Sequence, residues 1–207
     1  CNYVFGIKIN IDGNPGKETY AASNKILQDE HLYNKYVETI RHFSKTVRKI
    51  KFDGKEYVVS IPNIAAEEMN YNIGQLGMNE NQYITPDDPI IKKFVNQLTE
   101  GISSKEEKVK KISRFVQSKT DYSWGLGNDA SFPLYTLRDG IGNCRDSSIL
   151  LRTMLEAAGI ESKFLFLDLP KPGVNHVMVL TEGNFNGTSF KFGSRKLYPI
   201  ESTGKFW

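Results

Sequence analysis

Cys144 stands in Gly140-Ile-Gly-Asn-Cys-Arg-Asp-Ser-Ser, directly ahead of an apolar helical run, and only one other cysteine, Cys1, occurs in the chain. The N-terminus of a helix offers unpaired amide hydrogens and the positive end of a dipole, and both favour a thiolate over a thiol. Of three histidines, His176 lies downstream in Val174-Asn-His-Val-Met-Val-Leu, a stretch that reads as a strand. A cysteine at a helix start and a histidine on a strand can form a nucleophile with its own base. Gly142 would let backbone and substrate approach closely, and the Cys144 amide could then point at a developing oxyanion. The competing view of Cys144 is a small buried hydrophobe, since cysteine is often buried. His31 and His42 fall in a helical pattern where structural roles suffice.

A catalytic base needs an acid to orient it through its second ring nitrogen. Glu182 and Glu201 lie downstream of His176, and Asp168 lies upstream at a strand end. Asn186-Gly187 is a hairpin-type turn. It would return the strand that ends at Glu201 beside the strand that carries His176, which favours Glu201; Asp168 stays open as the alternative.

These residues need a scaffold, and the second part of the chain supplies one. Thr85-Pro-Asp-Asp-Pro is helix-start chemistry, with Ile90, Ile91, Phe94, Val95 and Leu98 forming an apolar face that Gly101 ends. Ser103 with Glu106, or Ser104 with Glu107, is a capping box for a helix whose buried face holds Val109, Ile112, Phe115 and Val116. Residues 119–141 read as a long loop containing Tyr122, Trp124 and Pro133, and loops of that length are often functional. The run after Cys144 places Leu150, Leu151, Met154, Leu155 and Ala158 at helical spacing, and Gly159 caps it. Strands follow at 160–169, 176–181, 185–192 and 196–202. Helices first and antiparallel strands afterwards predict an α+β fold.

The first 85 residues differ in character. Tyr3 to Ile11 alternates loosely and suggests a strand, followed by a turn at Asp12-Gly-Asn-Pro-Gly. Asp12, Asn14 and Glu18 lack the ligand series of a calcium loop. Leu32, Tyr36, Ile40, Phe43, Val47 and Ile50 recur every three or four residues and predict one long amphipathic helix. The cations from Lys45 to Lys51 then fall on its solvated face. Asp53-Gly54 is a turn into a short strand at 56–61 that Pro62 stops.

The composition is bounded. A chain of 207 residues with 12% aromatics and a net charge of +3 can bury a core without staples and carries no strong polyanion-binding signature, so no nucleic-acid partner is expected. No apolar stretch is long enough for a transmembrane segment. Metal-ligand spacing and phosphate loops are absent, so no metal or cofactor is expected. Cys1 could pair with Cys144, at the expense of the nucleophile, or carry a lipid if it began a mature lipoprotein outside the cytoplasm. Asn186-Gly-Thr188 is a glycosylation sequon. Oligomeric state and compartment are not legible.

Pro133-Leu-Tyr-Thr-Leu-Arg-Asp-Gly-Ile-Gly-Asn-Cys-Arg-Asp-Ser-Ser-Ile-Leu-Leu, followed by Ala158-Gly-Ile, resembles the core motif of the transglutaminase-like superfamily. Asn175-His-Val-Met-Val resembles its histidine block, and Tyr198-Pro-Ile-Glu-Ser-Thr its acid block; the resemblance covers about residues 86–207. It implies a papain-like core, with a cysteine helix packed on an antiparallel sheet, behind an extension at 1–85 of unknown role. It implies Cys144 as nucleophile, His176 as base and Glu201 as orienting acid, where the family more usually has aspartate. Asp146 is expected to be structural. Tyr122 or Trp124 would assist the oxyanion, and no spacing argument chooses between them. The activity implied is acyl transfer or hydrolysis at amide bonds of a protein or peptide substrate, through a thioester on Cys144. The superfamily also includes catalytically silent members that serve as binding or scaffold modules, which is the alternative.

Overall fold

The computed structural model describes residues 2–4, 7–9, 45–62, 80–123, 130–168 and 175–204. Two compact units divide at Lys45, one spanning Cys1–Lys45 and the other Thr46–Trp207. In the first, β1 (Asn2–Val4) pairs antiparallel with β2 (Ile7–Ile9). The single strand expected over 3–11 is therefore two short ones, and Gly6, a residue that weakens strand interiors, falls between them.

The second unit opens with a hairpin, β3 (Lys45–Phe52) and β4 (Lys55–Pro62). Asp53 at φ 48° and Gly54 at φ 75° form its turn, the left-handed pair that matches strand twist. The helix expected to run through Ile50 is thus contradicted from Lys45 onward; residues 32–44 lie outside the described residues. Residues alternate across a strand. Thr46, Arg48, Ile50 and Phe52 share the inner face, and the period-two pattern Val47, Lys49, Lys51 faces out. The spacing from Phe43 to Ile50 fits a helix only because Val47 is counted as buried, and it is 56% exposed.

Four helices follow among the described residues. The first, α1 (Pro89–Leu98), has Pro89 at its first position and Asp88 as N-cap, with the carboxylate accepting from Ile90 N and Ile91 N. Ser104 caps α2 (Lys105–Lys119) by accepting from Glu107 N, which decides between the two expected boxes. Within the segment read as one long loop lies α3 (Pro133–Asp139), started by Pro133 and ended by Gly140 at φ 67°. Seven residues are too few for a period to show in sequence. Finally, α4 (Cys144–Ala157) carries the candidate nucleophile as its first residue.

A four-stranded antiparallel sheet completes the unit, in the order β7 (Ser162–Asp168), β8 (Asn175–Glu182), β10 (Arg195–Ile200), β9 (Phe190–Phe192). The strand leading to Glu201 does return beside the strand of His176, with Tyr198 opposite Thr181 and Ile200 opposite Val179. The turn that does this is Gly193-Ser194, between the paired Phe192 and Arg195, not Asn186-Gly187, which lies in the connection from β8 to β9.

Helix α4 is the spine. Ile149, Leu150, Leu151, Met154 and Leu155 are each at most 1% exposed. It packs against β7 and β8 on one side and α1, α2 and α3 on the other. The hairpin belongs to this same core: Ile50, Phe52, Tyr57, Val59 and Ile61 join Phe94, Phe115 and Met154 in one apolar cluster. Phe52 meets Phe115 edge-on at 5.5 Å, and Tyr57 meets Phe94 at 5.8 Å. A division of the chain at residue 85 would cut through this cluster. The α+β architecture, with the cysteine helix packed on an antiparallel sheet, is as the sequence leads one to expect.

Candidate active site

The turn into α4 is held from both directions. The Asn143 side chain accepts from Arg145 N and Asp146 N, at 2.9 and 3.1 Å. Asp146 replies, accepting from Asn143 N at 3.0 Å, and its other oxygen accepts from Ser131 N at 2.7 Å. Asp146 has no exposed surface. Burial pushes its carboxyl up, against the amides of Asn143 and Ser131 that pull it down. Its role is therefore architectural, pinning the 131 segment to the nucleophile turn. Gly142 serves the same packing: a Cβ there would stand 2.9 Å from the Asp146 Cβ and 3.3 Å from the Thr136 methyl. The room it makes is taken by these neighbouring side chains.

Cys144 is a free, half-buried thiol. Two short parallel strands bring an aromatic to it. In them β5 (Asp121–Tyr122) pairs with β6 (Ile141–Gly142), Tyr122 opposite Gly142. Tyr122 thus lies beside Cys144, whose thiol and backbone amide both act on its phenol. Desolvation first, then the charge and thiol of Cys144, push its phenol up to about 12, against the opposing pull of the Cys144 amide. Trp124 lies outside the described residues.

His176, at the start of β8, is 7% exposed, and its Nε2 is 2.8 Å from Glu201 Oε2. Glu201 follows the end of β10 and folds onto its own turn. Its Oε1 accepts from Ser202 N, Thr203 N and the Thr203 hydroxyl, each at 2.8 Å. Burial raises the Glu201 carboxyl, but the Thr203 amide, the His176 ring and the Thr203 hydroxyl outweigh it and hold the group below its ordinary value. One Glu201 oxygen thus meets these donors while the other meets the ring. Of the other acids, Asp168 is exposed at the end of β7 opposite Asn175, and Glu182 pairs with Arg195 at 3.2 Å at the far end of β8.

Three residues that sequence reasoning passed over hold these pieces together. The Ser148 hydroxyl, one turn along α4 from Cys144, donates to Val177 O at 2.8 Å, beside His176. Ser148 and Ser202 share a second bond at 2.8 Å, beside Glu201. A hydroxyl has one hydrogen, so Ser202 donates here. Gln117 of α2 donates to Glu201 O at 2.7 Å. The available signal was two adjacent serines inside an apolar helix; both are buried. A cleft of about 710 Å³ opens beside Tyr122, Glu201 and Thr203, walled by Phe52, Arg114 and Gln117. Among the described residues no group of three or more His, Cys, Asp or Glu is placed to hold a metal ion.

Residues 92–188 match the sequence model of the transglutaminase-like superfamily, a span that includes Cys144 and His176 and stops before Glu201. This segment is similar to a transglutaminase-like core. No curated protein matches the chain. Two solved structures are similar to it. One is a candidate cysteine protease from Cytophaga hutchinsonii, 18% identical, covering 58% of this chain and 38% of its own, with a TM-score of 0.47. The other is a candidate protease from Parabacteroides distasonis, 19% identical, covering 67% of this chain and 34% of its own, with a TM-score of 0.37. The chain thus spans little more than a third of either protein. The β3–β4 hairpin lies ahead of the transglutaminase-like match, and the acid strand β10 lies beyond it.

Proposed function

We propose that the transglutaminase-like core is a thiol-dependent enzyme that acts on amide bonds of a peptide or protein, with Cys144, His176 and Glu201 as its triad. The observation that carries this reading is the 2.8 Å bond between a buried His176 and a Glu201 whose other oxygen is saturated by its own turn. Such a carboxylate cannot swing away, so it fixes the ring and a proton on Nε2, leaving Nδ1 as the nitrogen assigned to Cys144.

In this scheme Nδ1 takes the Cys144 proton as the sulfur attacks the substrate carbonyl. The oxyanion accepts from the Cys144 amide and from the Tyr122 hydroxyl beside it. A phenol pushed up to about 12 keeps its proton at neutral pH and so remains a donor. The carbon–nitrogen bond breaks, His176 returns the proton to the leaving amine, and an acyl-thioester remains on Cys144. Water, with His176 again taking a proton, then releases the acid; an amine in place of water would give transfer.

The test is a complex peptide mixture incubated with the protein and with Cys144→Ala, scored for new amino termini and for incorporation of an added amine. New termini that depend on Cys144 are expected. A mixture unchanged in both respects would favour the silent binding module instead.

A further inference from the structure

The β3–β4 hairpin lies outside the family match, yet one of its side chains reaches the foundations of the site. Arg48 points inward with Ile50 and Phe52. One guanidinium nitrogen donates to Leu137 O at 2.5 Å, and the other donates to Lys119 O at 2.8 Å. These carbonyls belong to the last turns of α3 and α2. Helix ends leave carbonyls unpaired and carry partial negative charge, so a single cation here satisfies two helices at once. Burial disfavours the charge on Arg48, and Asp139 and Asp121 nearby offset it.

Both helix ends run directly into the site. From α2 the chain passes through Thr120 into β5, which carries Tyr122. From α3 it passes through Gly140 into β6, and then to Asn143 and Cys144. The Asp121 amide donates to Gly140 O at 2.7 Å, so the two strands pair right where Arg48 holds their roots. Gly140 makes space for this: a Cβ there would fall 2.2 Å from a guanidinium nitrogen. A planar fork with two separate donors fits two carbonyls, whereas the ammonium of lysine is a point.

We propose that Arg48 is a positioning residue for the oxyanion site: by clamping the C-terminal ends of α2 and α3 together, it fixes the Tyr122 hydroxyl against the Cys144 amide. The inference rests on the reading of Tyr122 as an oxyanion donor. It also gives part of the N-terminal extension a role, since the hairpin then completes a site that the family segment alone does not.

Two probes separate this role from mere stability. With p-nitrophenyl acetate, the Cys144 sulfur bonds to the carbonyl carbon through a tetrahedral oxyanion. The ester carbon–oxygen bond then breaks, p-nitrophenolate leaves, and the thiol proton stays on His176. With iodoacetamide, sulfur displaces iodide from a saturated carbon and no oxyanion forms. The ratio of acylation to alkylation rates at Cys144 therefore reports the oxyanion site. It is measured for the whole chain and for Arg48→Met, Arg48→Lys, Tyr122→Phe and the Arg48→Lys/Tyr122→Phe pair, with folding checked by circular dichroism. Tyr122→Phe is expected to lower the ratio about 100-fold, as loss of one oxyanion donor does. Both Arg48 variants are expected to lower it about tenfold, and the pair to fall no further than Tyr122→Phe alone, because coupled residues are not additive. If Arg48→Met does not fold, Arg48→Lys, which keeps the charge, carries the measurement. A lowered ratio in Tyr122→Phe with wild-type ratios in the Arg48 variants overturns the clamp. So does a pair whose losses multiply. An unchanged ratio in Tyr122→Phe overturns the oxyanion reading itself.

Discussion

Replacing Glu201 by glutamine keeps its size and removes its charge, and the surrounding donors dictate the outcome. The amide oxygen has two places to go. At the Oε1 place it accepts from Ser202 N, Thr203 N and the Thr203 hydroxyl, each now at 2.8 Å. Turning the NH₂ group there would set it against those donors. At about 1–3 kcal/mol for each buried donor left unmet, the oxygen stays. The NH₂ group then faces His176 Nε2, which must accept where it now donates to the carboxylate at 2.8 Å. The ring proton moves to Nδ1, the nitrogen proposed to receive the Cys144 proton, and the base is blocked. Loss of a charge-assisted bond worth about 1.5–3 kcal/mol corresponds to a rate loss of about 10- to 150-fold, and the reversed tautomer puts the result at the upper end. The assay is the burst of p-nitrophenolate from p-nitrophenyl acetate at neutral pH, with thermal unfolding measured in parallel. Glu201→Asp is expected to lose activity too, since the shorter side chain cannot reach its own turn and the ring together. A Glu201→Gln burst within about threefold of wild type would refute the tautomer argument.

Ser148→Ala leaves Val177 O and the Ser202 hydroxyl without their buried partner, so denaturant unfolding is expected to show a loss of about 2–4 kcal/mol. Gly204→Ala would place a Cβ 2.1 Å from the Gln117 carbonyl oxygen, forcing the Glu201 turn off α2; both the Tm and the acylation burst are expected to fall. Because the Glu201 carboxyl is held below the usual 4.5, it stabilises the fold above that pH and loses its contribution as pH falls through the lowered value. Melts from pH 6 to pH 3 are expected to show a shallower acid decline in Glu201→Gln than in wild type, and parallel declines would contradict the linkage.

The sequence discloses features with local causes. Asp88-Pro89 and Ser104 start helices by chemistry confined to a few residues, and the helix start at Cys144 is legible from its glycine-flanked turn, though not its capping by Asn143 and Asp146. Where the cause is tertiary, the reading goes astray. Lys45 to Ile50 fit a helical period, but the buried partners of Ile50 and Phe52 are helices distant in sequence, which stabilise a strand. The return of β10 to β8 is correct for the wrong turn, since Asn186-Gly187 and Gly193-Ser194 both carry turn chemistry and only pairing in space selects between them. Arg48 looks like one surface cation among four, and nothing local marks the one that faces two helix ends. The fit of Glu201 depends on its own following amides, a detail that residue type alone does not disclose.

The central claim, that His176 activates Cys144 to carry an acyl group, is tested most directly by mass spectrometry of Cys144 acylation by p-nitrophenyl acetate in a single turnover, wild type against His176→Ala. The account predicts one acetyl group on Cys144 in the wild-type protein, formed about 100- to 10,000-fold more slowly in His176→Ala. Equal rates in the two proteins, or acetylation elsewhere with Cys144 unmodified, would contradict it.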